Sequence, residues 1–231
     1  MKHNFMALII FISIVVCGTS IADAQKKSIN NTSILEVNVK GANVKFKKGR
    51  SGKVETAYYG TASASNYILT AAKNGDTYKI TVKYTGRGMA PTINEGGVVV
   101  KIPDDVFSIL CIKGRGAGIV LNKINVDTDL VTEGCAVVIN NKNSSNKICI
   151  DSVADAYEIH SVPMSDDFYM KAAGSAVEYA FTKQPLDLKF KLTGGYAELP
   201  RGWKRNFSIG LGRPKMIVKL DNGVFELSVN D

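Results

Sequence analysis

Polar and apolar residues alternate in short runs along this chain, and Gly, Asn and Asp separate the runs. Leu35, Val37 and Val39 alternate with polar neighbours, as do Tyr78, Ile80, Val82 and Tyr84. A period of two marks a strand with one buried face, and no segment sustains the period of an amphipathic helix. Between Tyr67 and Tyr84, Lys73-Asn74-Gly75-Asp76 supplies an Asn-Gly turn, which accepts the positive φ of a tight hairpin. The N-terminal third is therefore expected to be antiparallel strands.

Beyond about residue 96 the pattern repeats. GAGIVLN at 116–122, GCAVVIN at 134–140, ADAYEIH at 154–160, GSAVEYA at 174–180 and GGYAELP at 194–200 align, in steps of 18, 20, 20 and 20 residues. The aligned copies form two apolar columns. One is Ile119, Val137, Tyr157, Val177 and Ala197; the other is Leu121, Ile139, Ile159, Tyr179 and Leu199. A strand precedes each copy, with inward columns Leu110, Thr128, Ile148, Phe168, Leu188 and Ile112, Leu130, Ile150, Met170, Phe190. Alternation within strands and equal phase between repeats predict an all-β fold, a short β-solenoid of about 20-residue rungs led by antiparallel N-terminal strands. The alternative is a β-sandwich with evenly spaced turns. Met216 to Val229 repeats strand-turn-strand after a longer insertion and is expected to cap the stack.

The stretch Gly97 to Gly118, with VVVKIP at 98–103 leading into the rungs at 116 and 134, resembles the bacterial family named putative adhesins. These are secreted Gly-punctuated β-strand repeats, and they include the head-domain GIN-type auto-transporter adhesins. The resemblance covers about residues 34–229. It implies a repeat β-fold and surface attachment, and it supplies no catalytic or ligand residues. The family's Gly-x-Gly-Asp turn is degraded here: Gly116-Ala117-Gly118-Ile119 and Gly134-Cys135-Ala136-Val137 lack the acid.

The N-terminus carries an address. Lys2 and His3 precede an apolar run from Phe5 to Val16, and Ala22-Asp23-Ala24 is a small-x-small cleavage site, so residues 1–24 are expected to be a secretory signal peptide cut after Ala24. The run is too short for a membrane span. Lipidation at Cys17 is disfavoured by the bulky Val16 before it. Residues 25–33 form a polar tether, and 34–231 a single all-β domain. The protein is expected in the periplasm, at the cell surface or outside the cell. Cleavage would leave His160 as the remaining histidine and Cys111, Cys135 and Cys149 as the cysteines. Cys111 and Cys149 fall two rungs apart, about 10 Å, beyond disulfide reach. All three thiols are expected to be free.

With 45% hydrophobic and 22% charged residues the chain is globular, and its net charge is +8. Catalytic motifs are sparse. A serine triad or a Cys-His pair would have to use His160, and no Gly-x-Ser-x-Gly elbow occurs. Gly114-x-Gly116-x-Gly118 precedes a strand, so no helix N-terminus stands behind it to hold phosphate. No finger-like Cys/His spacing points to zinc. The acidic pairs Asp104/Asp105, Asp127/Asp129 and Asp166/Asp167 suit solvated turns, and Glu158, Glu178 and Glu198 form a predicted surface column that could hold a cation or simply be solvated by lysines. No enzyme activity, cofactor or metal is expected.

The basic excess concentrates at Arg201, Trp203, Lys204, Arg205, Arg213, Lys215 and Lys219. Cations beside an aromatic suit an anionic glycan or another anionic cell-surface component. The bland reading is a solvated loop with Trp203 packed over the end of the stack. Nucleic acid is not expected, because no readout motif is present. The function expected is an exported, non-enzymatic binding or adhesion-like protein. The alternatives are a polysaccharide-active β-helix enzyme and a structural envelope protein that assembles through strand edges.

Overall fold

Strict alternation builds the strands: in Asp127–Glu133 every second residue is buried, and Leu188–Thr193 behaves the same way. The computed structural model describes residues 34–50, 52–103, 105–140, 147–160, 167–181 and 186–229. The signal peptide, the tether and Cys17 lie outside the described residues, as do Asp104 and Asp166.

The first third holds β1 (Ile34–Lys40), β2 (Asn43–Lys48), β3 (Glu55–Gly60), β4 (Tyr67–Asn74), β5 (Thr77–Tyr84) and β6 (Gly96–Ile102). Four strand pairs follow: β7 (Ile109–Arg115) with β8 (Gly118–Asn122), β9 (Asp127–Glu133) with β10 (Ala136–Asn140), β11 (Ile148–Val153) with β12 (Ala156–His160), and β13 (Phe168–Ala173) with β14 (Ala176–Phe181). The C-terminal part holds β15 (Leu188–Thr193), β16 (Tyr196–Glu198), β17 (Asn206–Ile209), β18 (Lys215–Asp221) and β19 (Val224–Val229).

These strands form two large, mostly parallel sheets. Sheet A runs β17-β15-β18-β13-β11-β9-β7-β1-β5-β4, and sheet B runs β16-β19-β14-β12-β10-β8-β2-β6-β3. Each of the four middle pairs places its first strand in sheet A and its second in sheet B. The register aligns the inner side chains. Val98, Val44, Ile119, Val137, Tyr157, Val177, Phe225 and Ala197 form one column in sheet B. Ile80, Val37, Ile112, Leu130, Ile150, Met170, Val218 and Leu192 form one in sheet A. The inner faces share a single core. Full burial of each Val, Leu or Ile is worth about 1.5–3 kcal/mol, and a strand pair realises it only with a neighbour on each side.

The ends differ from expectation in three ways. First, β1 pairs in parallel with both β5 and β7, and β2 with both β6 and β8, so the N-terminal pair is inserted into the stack. Antiparallel pairing in this third is confined to the β4–β5 hairpin, at the expected Asn74-Gly75 turn, and to β3 on β6. Second, the C-terminal pair β18–β19 does not cap the stack. It lies between β13–β14 and β15–β16. The reason is composition: Met216, Val218, Phe225 and Leu227 are all buried, whereas β16 is three residues long and leaves Tyr196 exposed. Third, Phe190 rather than Leu188 joins the Phe168 column, through Met216. A shift of two residues keeps the same face inward, so the core pattern survives it.

The corner between the sheets is a one-residue left-handed bend. Gly116, Gly134 and Gly174 adopt φ of 55°, 62° and 60°, and in the third pair Ala154 takes φ 55°. Backbone bonds run rung to rung through these corners, from Ala136 N–H to the Ala117 carbonyl and from Ala156 N–H to the Cys135 carbonyl, each at 2.9 Å. A Cβ at Gly134 would meet no atom within 4 Å, so its cost would be purely conformational. Gly134→Ala is expected to lower unfolding free energy by about 1 kcal/mol. Ala154→Gly is expected to raise it by up to about 1 kcal/mol, less the entropy that glycine adds to the unfolded chain. Urea denaturation of the two variants checks the pair of opposite signs.

Candidate functional site

The basic cluster foreseen near the C-terminus divides in the structure. Trp203 lies over the stack end, its ring 4.3 Å from Phe207 and nearly parallel to it, 5.8 Å from Phe190 and 6.3 Å from Phe181. Arg205 donates from both terminal nitrogens to the carbonyls of Gly194 and Gly195, at 2.7 Å each. Those two residues close the turn between β15 and β16, so Trp203 and Arg205 serve packing and turn closure. Arg201, Lys204, Arg213 and Lys215 are exposed. Lys215 faces Lys189 across β18–β15, and Lys219 faces Lys171 across β18–β13.

On the outer face of sheet A, Glu36 is an ionic hub. Its carboxylate accepts from Asn38 at 3.0 Å and pairs with Lys79 at 3.0 Å and Lys113 at 3.4 Å. The hydrogen bond from Asn38 and then that from Lys79 hold its pKa down to about 2. Beside this hub, Lys83, Lys40 and Arg115 stand in one row on β5, β1 and β7. With Asn38, Thr81 and Lys113 they line a shallow depression of about 290 Å³.

On sheet B the predicted glutamate column exists with one more member. Glu158 faces Glu178, Glu178 faces Glu226, and Glu226 faces Glu198. The insertion of β19 brings in Glu226. His160 Nε2 lies 2.5 Å from Glu158 Oε1 at the half-exposed end of β12. Among the described residues no group of three or more His, Cys, Asp or Glu is placed to hold a metal ion.

One polar cluster sits inside the corner, at positions that alternation alone marks as core. Asp155 is 4% exposed. One carboxylate oxygen accepts from Thr132 at 2.6 Å and Ser152 at 2.8 Å, the other from Cys135 N–H at 2.6 Å. Ser175 bonds Ser152 at 2.8 Å and receives Asp155 N–H at 3.2 Å. Tyr157 lies 2.5 Å from Thr132, and burial raises its phenol far above the ordinary range. The acid in Ala154-Asp155-Ala156 was the available signal, but its inward aim follows only from the corner geometry.

Cys111, Cys135 and Cys149 are free thiols. Asp129 separates Cys111 from Cys149 in their ladder, and Cys135 is buried in the corner. Burial raises the pKa of each thiol, which keeps it protonated and weakly nucleophilic.

The molecule is thus an all-β protein of two mostly parallel sheets with charged outer faces. No family model matches the chain, and no curated protein matches it. Its fold is similar to a crystal structure from Clostridium sporogenes ATCC 15579 described as a "putative cell adhesion protein", at 9% identity and a TM-score of 0.47, covering 86% of this chain and 93% of that one. No helix among the described residues is long and apolar enough to cross a membrane.

Two stability predictions follow from these clusters. Glu36 has a folded pKa below its unfolded value, so its contribution is present above pH 4.5 and lost as pH falls towards 2. Glu36→Gln is expected to cost about 2 kcal/mol at neutral pH, after screening of its half-exposed lysine partners, and the gap to the parent should close by about pH 2. Urea midpoints across that range measure it. Asp155→Ala strands three buried donors and is expected to cost about 3 kcal/mol or more, read as a lower melting midpoint with the far-ultraviolet β-signal retained.

Proposed function

We propose that the chain is an exported, non-enzymatic binding module of the adhesion-like class, built as a short β-solenoid that presents charged faces to a component of the cell surface. The observation that carries this proposal is the stacking of like charges on the outer columns. Lys83, Lys40 and Arg115 occupy adjacent strands on one face, and Glu158, Glu178, Glu226 and Glu198 do so on the other. Adjacent strands are about 4.8 Å apart, and like charges directly opposite destabilise the free sheet. Such rows hold a strong local field that favours association with an opposite charge. The signal-like N-terminus supports export, and the raised pKa of each thiol supports a non-catalytic role. Arg201, Lys204, Arg213 and Lys215 extend the basic surface at the C-terminal end, where an anionic glycan is the partner class that suits them.

The purified chain should bind a coherent ligand class on an array of glycans and matrix proteins, and the binding should weaken between low and moderate salt. Arg201→Glu with Lys204→Glu should reduce it several-fold if the C-terminal surface takes part. A folded protein that binds no class at either salt would sink the proposal, and concentration-dependent oligomers without ligand would favour assembly through strand edges.

A further inference from the structure

We infer that the depression on the outer face of sheet A, between β5, β1 and β7, is the docking site for a linear anionic polysaccharide carrying sulfate or carboxylate groups. The inference deepens the adhesion-like proposal and rests on it. Lys83 faces Lys40 and Lys40 faces Arg115, so three cations stand at strand spacing in one row. One step inward on the same strands, Thr81 faces Asn38 and Asn38 faces Lys113. The two rows border a shallow, open depression of about 290 Å³.

The charge is neutralised from within only in part. Arg115 has Glu133 at 3.2 Å and Lys113 has Glu36 at 3.4 Å. Lys40 and Lys83 have no carboxylate partner among the described residues, and no acid lines the depression. Lys40 carries the highest local cost, because it stands between two other cations. A free sheet would be more stable without it, so the row behaves as a surface completed by a ligand.

The geometry selects the kind of anion. The cations run across the strands at a fixed spacing of about 4.8 Å, comparable to the advance of one sugar residue along a chain. A polymer lying perpendicular to the strands can meet all three, while Thr81 and the amide of Asn38 offer hydrogen bonds to hydroxyls. No aromatic side chain lines the depression, so it lacks the stacking platforms that single-stranded nucleic acids use. The row runs across three strands from Lys83 on β5 to Arg115 on β7, and Glu133 on β9 follows Arg115 and bounds it there.

Dextran sulfate, polygalacturonate, neutral dextran and vesicles of anionic phospholipid serve as probes in titrations of the purified chain over a salt series. Both charged polysaccharides should bind and neutral dextran should not. Lys40→Glu with Lys83→Glu should weaken binding at least tenfold and flatten the log–log salt dependence by about two charges. Lys171→Glu, on the same face but away from the depression, should leave binding near the parent value. Without ligand, Lys40→Gln should raise the melting midpoint by about 2–4 °C, since it removes like-charge repulsion. A structural role for Lys40 would lower it.

Unchanged polysaccharide binding by the double variant would overturn this site and leave the wider binding proposal standing. Failure of the parent to bind any charged polysaccharide, with hits elsewhere on the array, would do the same. Preference for the vesicles would identify a lipid headgroup as the ligand and overturn the polysaccharide. Self-association of the parent that the double variant abolishes would replace it with the glutamate face of a second copy. Absence of any ligand for the folded parent would remove both proposals together.

Discussion

Parallel in-register pairing is the constraint on which the rest of this structure depends. A strand pair here is too thin to bury its own apolar face, so Val137 is buried because Ile119 and Tyr157 lie on either side of it. That requirement reaches every level. It fixes the face each residue presents, because a slip of one residue would turn the apolar set outward. It forces the same left-handed bend at successive corners, where Gly116, Gly134 and Gly174 meet it without strain and Ala154 meets it against preference. It also stacks the outward residues as faithfully as the inward ones. The surface columns of like charge follow from the register that makes the core.

A stack of parallel strands has no natural end, since its last strands leave hydrogen-bonding groups open to other chains. This molecule treats both ends alike. The terminal pairs β1–β2 and β18–β19 are drawn one place inward, where neighbours cover both their edges. The outer places go to segments finished by antiparallel strands, β4 and β3 at one end and β17 at the other. The C-terminal edge is further blunted by the brevity of β16 and by Trp203, packed over Phe207, Phe190 and Phe181. Arg205 fits the same logic: its two bonds to Gly194 and Gly195 hold the last corner where no further pair can.

The middle of the fold was legible in the sequence because there chain order and spatial order coincide. The columns through Ile119, Val137, Tyr157 and Val177 could be aligned by spacing alone, and the structure pairs those residues. At the ends the two orders part. Alternation identifies β18 and β19 as strands, but the choice between capping and insertion depends on how their burial compares with that of β15 and β16, a contest between distant segments. Glu226 entered the glutamate column for the same reason. The row Lys83, Lys40, Arg115 joins residues separated by 43 and 75 positions, with no shared motif, and only the insertion of β1 between β5 and β7 brings them together. Asp155 was visible as an acid in a turn, yet a turn acid ordinarily meets water. Its inward aim depends on Thr132, Ser152 and Ser175 from neighbouring rungs.

The contrast between Asp155 and the surface rows bears on what the molecule does. Where the fold buries a charge, it surrounds it with donors from several rungs, so the carboxylate is satisfied by the protein itself. Glu36 is likewise shared between two lysines and an asparagine. Lys40 and Lys83 receive no such treatment, although β1 and β9 carry acids close by. Glu36 lies two residues along from Asn38 in the same strand and already serves Lys79 and Lys113, and Glu133 serves Arg115. The acids of this face are thus committed around the depression without entering it. Under the proposed binding role, Lys83, Lys40 and Arg115 lie in a line along the stacking direction, so a polymer long enough to meet all three would gain with each contact.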